Sequence, residues 1–237
     1  MEITPLGDSA LIVQVRDRFE DAPDKALSEV LRVFRRLEAA AIPGVIELAP
    51  AYTTVGVFFD PIRVINEGAG FDRVIDSLTQ TICRAVSHHS DRKQKPAGAR
   101  TIEIPVCYDA KFALDIEQVA QHAQISAKEV VDLHSAAEYR VNCIGFTPGF
   151  PFLAGLPKKL ATPRRTTPRK EIPAGSVGIG GAQTGVYPLP SPGGWSIIGR
   201  TPLRLFDSSK HEPALLRAGD RVRFRVIDLA EFEASTK

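Results

Sequence analysis

Several things this sequence lacks narrow its reading before anything it contains is weighed. No run of about 18 apolar residues occurs, so no membrane-spanning helix is expected. Glu2 and Asp8 stand near the start, where a secretory leader would carry basic and then apolar residues, so a cytoplasmic protein is expected. The three cysteines, Cys83, Cys107 and Cys143, are widely spaced and odd in number, which suits reduced thiols better than a disulfide frame. A formal net charge of +2 is too small to point to nucleic acid. No Gly-x-x-x-x-Gly-Lys-Ser/Thr loop is present, so a Walker-type nucleotide site is not encoded. Gly175-Ser-Val-Gly-Ile-Gly180 lacks the spacing and following helix of a dinucleotide fingerprint. There is no Cys-x-x-Cys or His-x-x-x-His pair, and His88-His89 sits in a polar stretch, so no metal site is expected.

What is there is an ordinary globular composition over 237 residues, 43% hydrophobic and 24% charged, enough for one large domain or two smaller ones. Ile3 to Leu6 and Ala10 to Val15 read as a hairpin about Gly7-Asp8. Leu27, Val30, Leu31, Phe34 and Leu37 form a helical stripe over Asp24 to Ala41, stopped by Pro43-Gly44. Val45 to Ala49 and Tyr52 to Phe59 read as strands broken by Pro50, and Phe71 to Ser87 as a second helix. With Thr101 to Tyr108 as a further strand, the order suggests a small α+β unit with helices on one sheet face. The polar stretch His88 to Gly98 is the expected linker. Two short helices follow, Asp115 to His122 and Ser126 to His134; Ser126 and Glu129 have capping-box spacing. Both His122 and His134 fall near helix ends, where a partly exposed histidine completes the last turn. From Tyr139 onward the expectation is strand and turn, including Leu203 to Phe206 and Arg221 to Ile227, in a barrel or sandwich.

Residues 145–202 hold 11 of the 18 glycines, 10 of the 18 prolines and the only tryptophan, Trp195. That density excludes an ordinary helix. The many buriable side chains within it exclude a solvated linker, so an ordered, turn-rich surface is expected. Its run Thr162-Pro-Arg-Arg-Thr-Thr-Pro-Arg-Lys-Glu-Ile-Pro173 offers Arg164, Arg165 and Arg169 from a proline-stiffened scaffold. Such guanidiniums suit a carboxylate or phosphate, and a solvated basic loop is the equal alternative. Ser176, Gln183 and Thr184 are small polar groups among glycines, where a ligand can approach the backbone. Trp195 is either a core anchor or a stacking surface, and Phe150, Phe152 and Tyr187 join it as candidates for a groove facing a partner. His134 and Glu171 are the acid–base candidates.

Several stretches carry a family signature: Gly145-Phe-Thr-Pro-Gly-Phe-Pro-Phe-Leu153, Ala161-Thr-Pro-Arg-Arg165, Pro173-Ala-Gly-Ser-Val-Gly-Ile179, Gln183-Thr-Gly-Val-Tyr-Pro188 and Ser191-Pro-Gly-Gly-Trp195. With Leu6-Gly-Asp-Ser-Ala-Leu11 near the start, they closely resemble the KipI family, whose other names are allophanate hydrolase subunit 1 and the B subunit of 5-oxoprolinase. Where that family often has Tyr-Leu-Gly-Gly, this chain has Phe152-Leu-Ala-Gly155, a mild departure. The resemblance implies an α+β protein with a ferredoxin-like N-terminal domain, residues 1–90, and a cyclophilin-like β-barrel domain, residues 91–237. It further implies a protein that acts with subunits A and C to open 5-oxoproline at the expense of ATP, the nucleotide site being shared with a partner. Two alternatives come with it: an inhibitor of a sensor histidine kinase, and a subunit of a urea- or allophanate-hydrolysing system.

Overall fold

The computed structural model describes residues 2–19, 23–87 and 100–236. The chain divides into two compact units, Met1–Gly98 and Ala99–Lys237. The expected linker, the expected boundary between residues 90 and 91, and His88-His89 lie outside the described residues.

The first unit begins with the hairpin β1 (Glu2–Pro5) and β2 (Ala10–Gln14), whose turn places Gly7 at a φ of +70°. There follow α1 (Pro23–Ala40), β3 (Val45–Ala51), β4 (Thr54–Phe59), α2 (Pro61–Asn66) and α3 (Val74–Ser87). The antiparallel sheet runs β1-β2-β4-β3. Val55, Val57 and Phe59 alternate along β4 and pack, with Leu11 and Val13, against the stripe Val30, Val33 and Leu37 of α1 and Leu78 and Ile82 of α3. Period-2 and period-3.6 faces thus close one core, an α/β sandwich. The expected strand break at Pro50 does not occur; the residue lies inside β3, paired with Val55. The position tolerates proline because β3 is an edge strand, with one side free of ladder partners.

The second unit contains β5 (Thr101–Cys107), α4 (Ile116–Ala123), α5 (Ala127–Ala136), β6 (Glu138–Ile144) and β7 (Pro151–Ala154). It continues through β8 (Arg169–Ile172), β9 (Ser176–Gly180), β10 (Gln183–Val186), β11 (Ser191–Gly193), β12 (Ser196–Arg200), β13 (Arg221–Ile227) and α6 (Leu229–Ser235). Seven strands close a barrel in the order β10-β7-β6-β13-β5-β12-β9, and β8 and β11 form a separate ribbon. Closure leaves the barrel without open edges. Ile116, Val119 and Ala120 of α4 and Val130 of α5 share its core with Ile104, Val141, Val177, Ile198 and Phe224.

Thr101–Cys107 therefore does not complete the first sheet. It pairs in parallel with β13, more than 110 residues away, a partnership no local pattern reveals. Leu203 to Phe206 is not a strand; only Phe206 makes an isolated bridge, to Ala214. The last element, α6, is a helix in place of the expected strand and turn, and Asp228 caps it by accepting from Glu231 N–H at 2.8 Å. The capping box at Ser126 is formed as its spacing predicts.

Candidate functional site

The basic run is organised by a residue that no sequence motif marks. Asp115 stands at the N-cap of α4, yet its side chain makes no capping bond. The residue is 4% exposed, and its carboxylate turns toward the basic loop. It accepts from Arg165 Nη1 at 3.0 Å, from Arg169 Nη1 and Nη2 at 2.8 and 2.7 Å, and from the Ile197 backbone N–H at 2.7 Å. The Asp115 N–H in turn donates to the Ile197 carbonyl at 2.7 Å. One buried carboxylate therefore ties α4, the loop 162–169 and β12 into a single piece. Such a carboxylate is tolerable only because so many donors meet it. Asp115 also raises the pKa of Arg169 further, chiefly through the hydrogen bond, so that guanidinium stays charged.

Arg165 and Arg169, expected to hold a ligand anion, thus spend much of their bonding capacity on Asp115. Arg164 does not: it is exposed, and among the described residues no carboxylate forms an ion pair with it. Its guanidinium carbon lies 5.9 Å from the centroid of the Trp195 ring, within cation–π range. Trp195 itself is 5% exposed, in a cluster with Phe150, Ile172, Tyr187 and Ile197, with Phe152 packed against it. Of the four aromatics expected to face a partner, Phe150, Tyr187 and Trp195 are instead buried against one another, edge to face. Phe146 is the exposed aromatic of this cluster.

Glycines on the outer barrel wall make room for the indole. A Cβ on Gly180 would lie 2.5 Å from Trp195 ring atoms, and one on Gly185 would lie 2.7 Å from the Pro151 carbonyl. Gly180→Ala is expected to destabilise the protein by about 2 kcal/mol, since neither strand nor ring can yield. A urea denaturation curve followed by tryptophan fluorescence reads both the loss and the displaced ring; an unchanged midpoint would refute the close packing.

His134 lies in the last turn of α5, as expected, but it is wholly buried and not partly exposed. Thr184 Oγ1 donates to the Gly178 carbonyl at 2.9 Å, so it accepts from His134 Nε2 at 3.0 Å. Nδ1 is then the acceptor for the Tyr108 hydroxyl at 2.8 Å. The imidazole stacks on Phe224, 4.6 Å between centroids, and burial lowers its pKa to about 3. A neutral imidazole with both nitrogens engaged and no exposed surface braces the barrel and does not present a proton to a ligand. Tyr139 adds a hydrogen bond to the His134 carbonyl at 2.7 Å.

The remaining expected residues are dispersed. Thr184 belongs to the buried chain just described, and Ser176 is 3% exposed at the start of β9. Gln183 opens β10 and is half-buried, while Glu171 is exposed on the β8–β11 ribbon. Arg164 and Arg165 do come together, in an open cleft of about 580 Å³ between α4 and residues 162–167. Gln118, Gln121 and His122 line its helical side, and Thr166 and Thr167 its loop side. The three α4 residues are one helical face by their spacing. Nothing in the sequence singles that face out, since polarity alone does not distinguish a ligand face from a wet one.

Residues 1–216 match the family described as carboxyltransferase domain, subdomain C and D. The chain is 40% identical to the 5-oxoprolinase B subunit of Bacillus subtilis (strain 168) over 235 residues, 98% of this chain and 95% of that protein. The chain belongs to the family of 5-oxoprolinase B subunits. Relatives in this family are named as a subunit of a hydrolase, which implies a multi-subunit assembly. Among solved structures, TTHA0988 superposes with a TM-score of 0.73 at 35% identity, covering 92% of this chain. This chain spans only 40% of the length of that one. Kluyveromyces lactis urea carboxylase superposes with a TM-score of 0.70 over 98% of this chain and 22% of its own, at 18% identity, a likeness of fold alone. Together these place the sandwich and barrel of a 5-oxoprolinase B subunit among carboxyltransferase-type domains.

Proposed function

We propose that this chain is the B subunit of an ATP-dependent 5-oxoprolinase, which opens 5-oxo-L-proline to L-glutamate together with subunits A and C. The near-complete reciprocal match to a protein named for that role carries the reading. ATP would supply a phosphoryl group to the lactam oxygen, which makes the carbonyl carbon electrophilic. Water adds there, and the ring C–N bond breaks as its nitrogen takes up a proton to become the amine of glutamate. A second water releases phosphate from the resulting acyl phosphate. This chain would contribute binding and charge neutralisation. Arg164 meets the anion directly, and Arg165 and Arg169, held by Asp115, keep the loop in place around it. The absence of a phosphate loop in the sequence agrees with a nucleotide site completed by another subunit.

Reconstitution tests this reading. Glutamate release from 5-oxo-L-proline and ATP should require this chain in addition to subunits A and C. Equal release by the A and C pair alone, or full turnover by this chain alone, would sink it. Within the active complex, Arg164→Ala should lower kcat/KM by roughly 10- to 100-fold, the loss of one charge-assisted contact. Because Arg164 is exposed, the denaturation midpoint should hardly move.

A further inference from the structure

We propose that the cleft between α4 and residues 162–167 is a phosphoryl-binding site. Its volume, about 580 Å³, lies within the range of small-molecule sites, about 300–1,000 Å³. It therefore has room for a phosphorylated organic ligand and not only for a bare ion. Its lining contains no carboxylate, so nothing in it repels an anion.

The donors decide which anion. A carboxylate is satisfied by one bidentate guanidinium, whereas a terminal phosphoryl group presents three strong acceptor oxygens. Arg164 alone could serve a carboxylate, and the cleft supplies more. Thr166 and Thr167 carry hydroxyls on the loop side, and Gln118 and Gln121 carry amide groups one helical turn apart on the other. Arg165 spends Nη1 on Asp115, and its buried Nε–H has no acceptor among the described residues. This surplus of donors over acceptors is the chemistry of a phosphate site. The loop is also held before any ligand arrives: Arg165 N–H donates to the Gly194 carbonyl at 2.7 Å, and Thr162 exchanges backbone hydrogen bonds with Gly181. Preorganisation of this kind reduces the ordering cost of binding. Only the source of the phosphoryl group, ATP or a phosphorylated amide formed from it, rests on the function proposed above.

Trp195, the only tryptophan of the chain, reports on the site because Arg164 lies over its ring. The full chain is titrated with inorganic phosphate at constant ionic strength, with chloride as the control, by fluorescence and by calorimetry. A saturable phosphate response is expected, and Arg164→Ala should weaken the calorimetric affinity roughly tenfold or more. Gln121→Ala, which leaves the Arg164–Trp195 pair in place, should weaken it by a smaller factor. If ATP competes with phosphate, the nucleotide is the source; if phosphate binds and ATP does not compete, the phosphorylated amide is the source. A phosphate response equal to that of chloride would overturn the proposal. So would undiminished affinity in Arg164→Ala, or 5-oxo-L-proline binding without phosphate with the same dependence on Arg164. Phosphate binding that persists while the reconstituted complex releases no glutamate would count against the enzyme assignment and leave this site standing.

Discussion

Replacing Asp115 by asparagine is expected to lower stability by about 3 kcal/mol and to lower kcat/KM in the assembled enzyme. The carboxylate is 3% exposed, and the two guanidiniums it joins are 31% and 23% exposed. Losing its charge leaves two cations facing each other without their common partner, and an amide can accept fewer of the four hydrogen bonds. Breaking a fully buried pair costs about 3–5 kcal/mol, and the lower end applies here because both arginines retain some water. The reciprocal bonds between Asp115 and Ile197 also set where α4 meets β12, so the cleft wall should loosen with the loop. The expected signature is a lower urea midpoint together with weaker phosphate binding by the chain and a lower kcat/KM in the assembled enzyme. An unchanged midpoint would show that the arginines find other partners and that Asp115 is not the organiser of this loop.

The second large effect is a loss of stability in mild acid that traces to one histidine. The folded pKa of His134 is about 3, below the ordinary 6.5, because burial disfavours the imidazolium. Between those values the unfolded chain binds a proton that the folded chain refuses. Stability therefore falls as pH falls, by up to about 1.4 kcal/mol per pH unit. Above about pH 6.5 both states hold the neutral ring and this dependence vanishes. Glu138, Glu129 and Asp207 have folded pKa values below their ordinary ones, each chiefly through hydrogen bonds from Arg223, Ser126 and Ser209 respectively. Their contributions are lost only below about pH 4.5, so these carboxylates do not contribute to a slope between pH 6.5 and 5. Urea denaturation of the wild-type chain should slope across that interval, and His134→Gln should flatten the slope while lowering stability throughout. Equal slopes in the two proteins would mean that His134 can be protonated without opening the barrel.

Both effects depend on residues whose importance is hidden from local reading. The helices, the first hairpin and the capping box at Ser126 are legible, because each is specified by side chains three to seven positions apart. The Gly- and Pro-rich stretch is recognisable as ordered, since its apolar content exceeds what a solvated loop carries. Asp115 reads as the first residue of a short helix, and it stands one position before it, at the N-cap of α4. Its partners, however, lie 50, 54 and 82 residues further along. His134 looks like a helix-end histidine, and only the barrel brings Tyr108, Thr184 and Phe224 around it.

By itself, then, the sequence determined the alternation of elements, the family resemblance, and a cationic loop stiffened by proline and presented beside an indole. Tertiary structure alone decided how those charges are divided. It commits Arg165 and Arg169 to a buried carboxylate, leaves Arg164 facing the cleft, and seals His134 away from any ligand. The physical reason is that secondary structure follows from short-range spacing, whereas the charge state and bonding capacity of a side chain follow from burial and from partners that only folding brings within hydrogen-bond range.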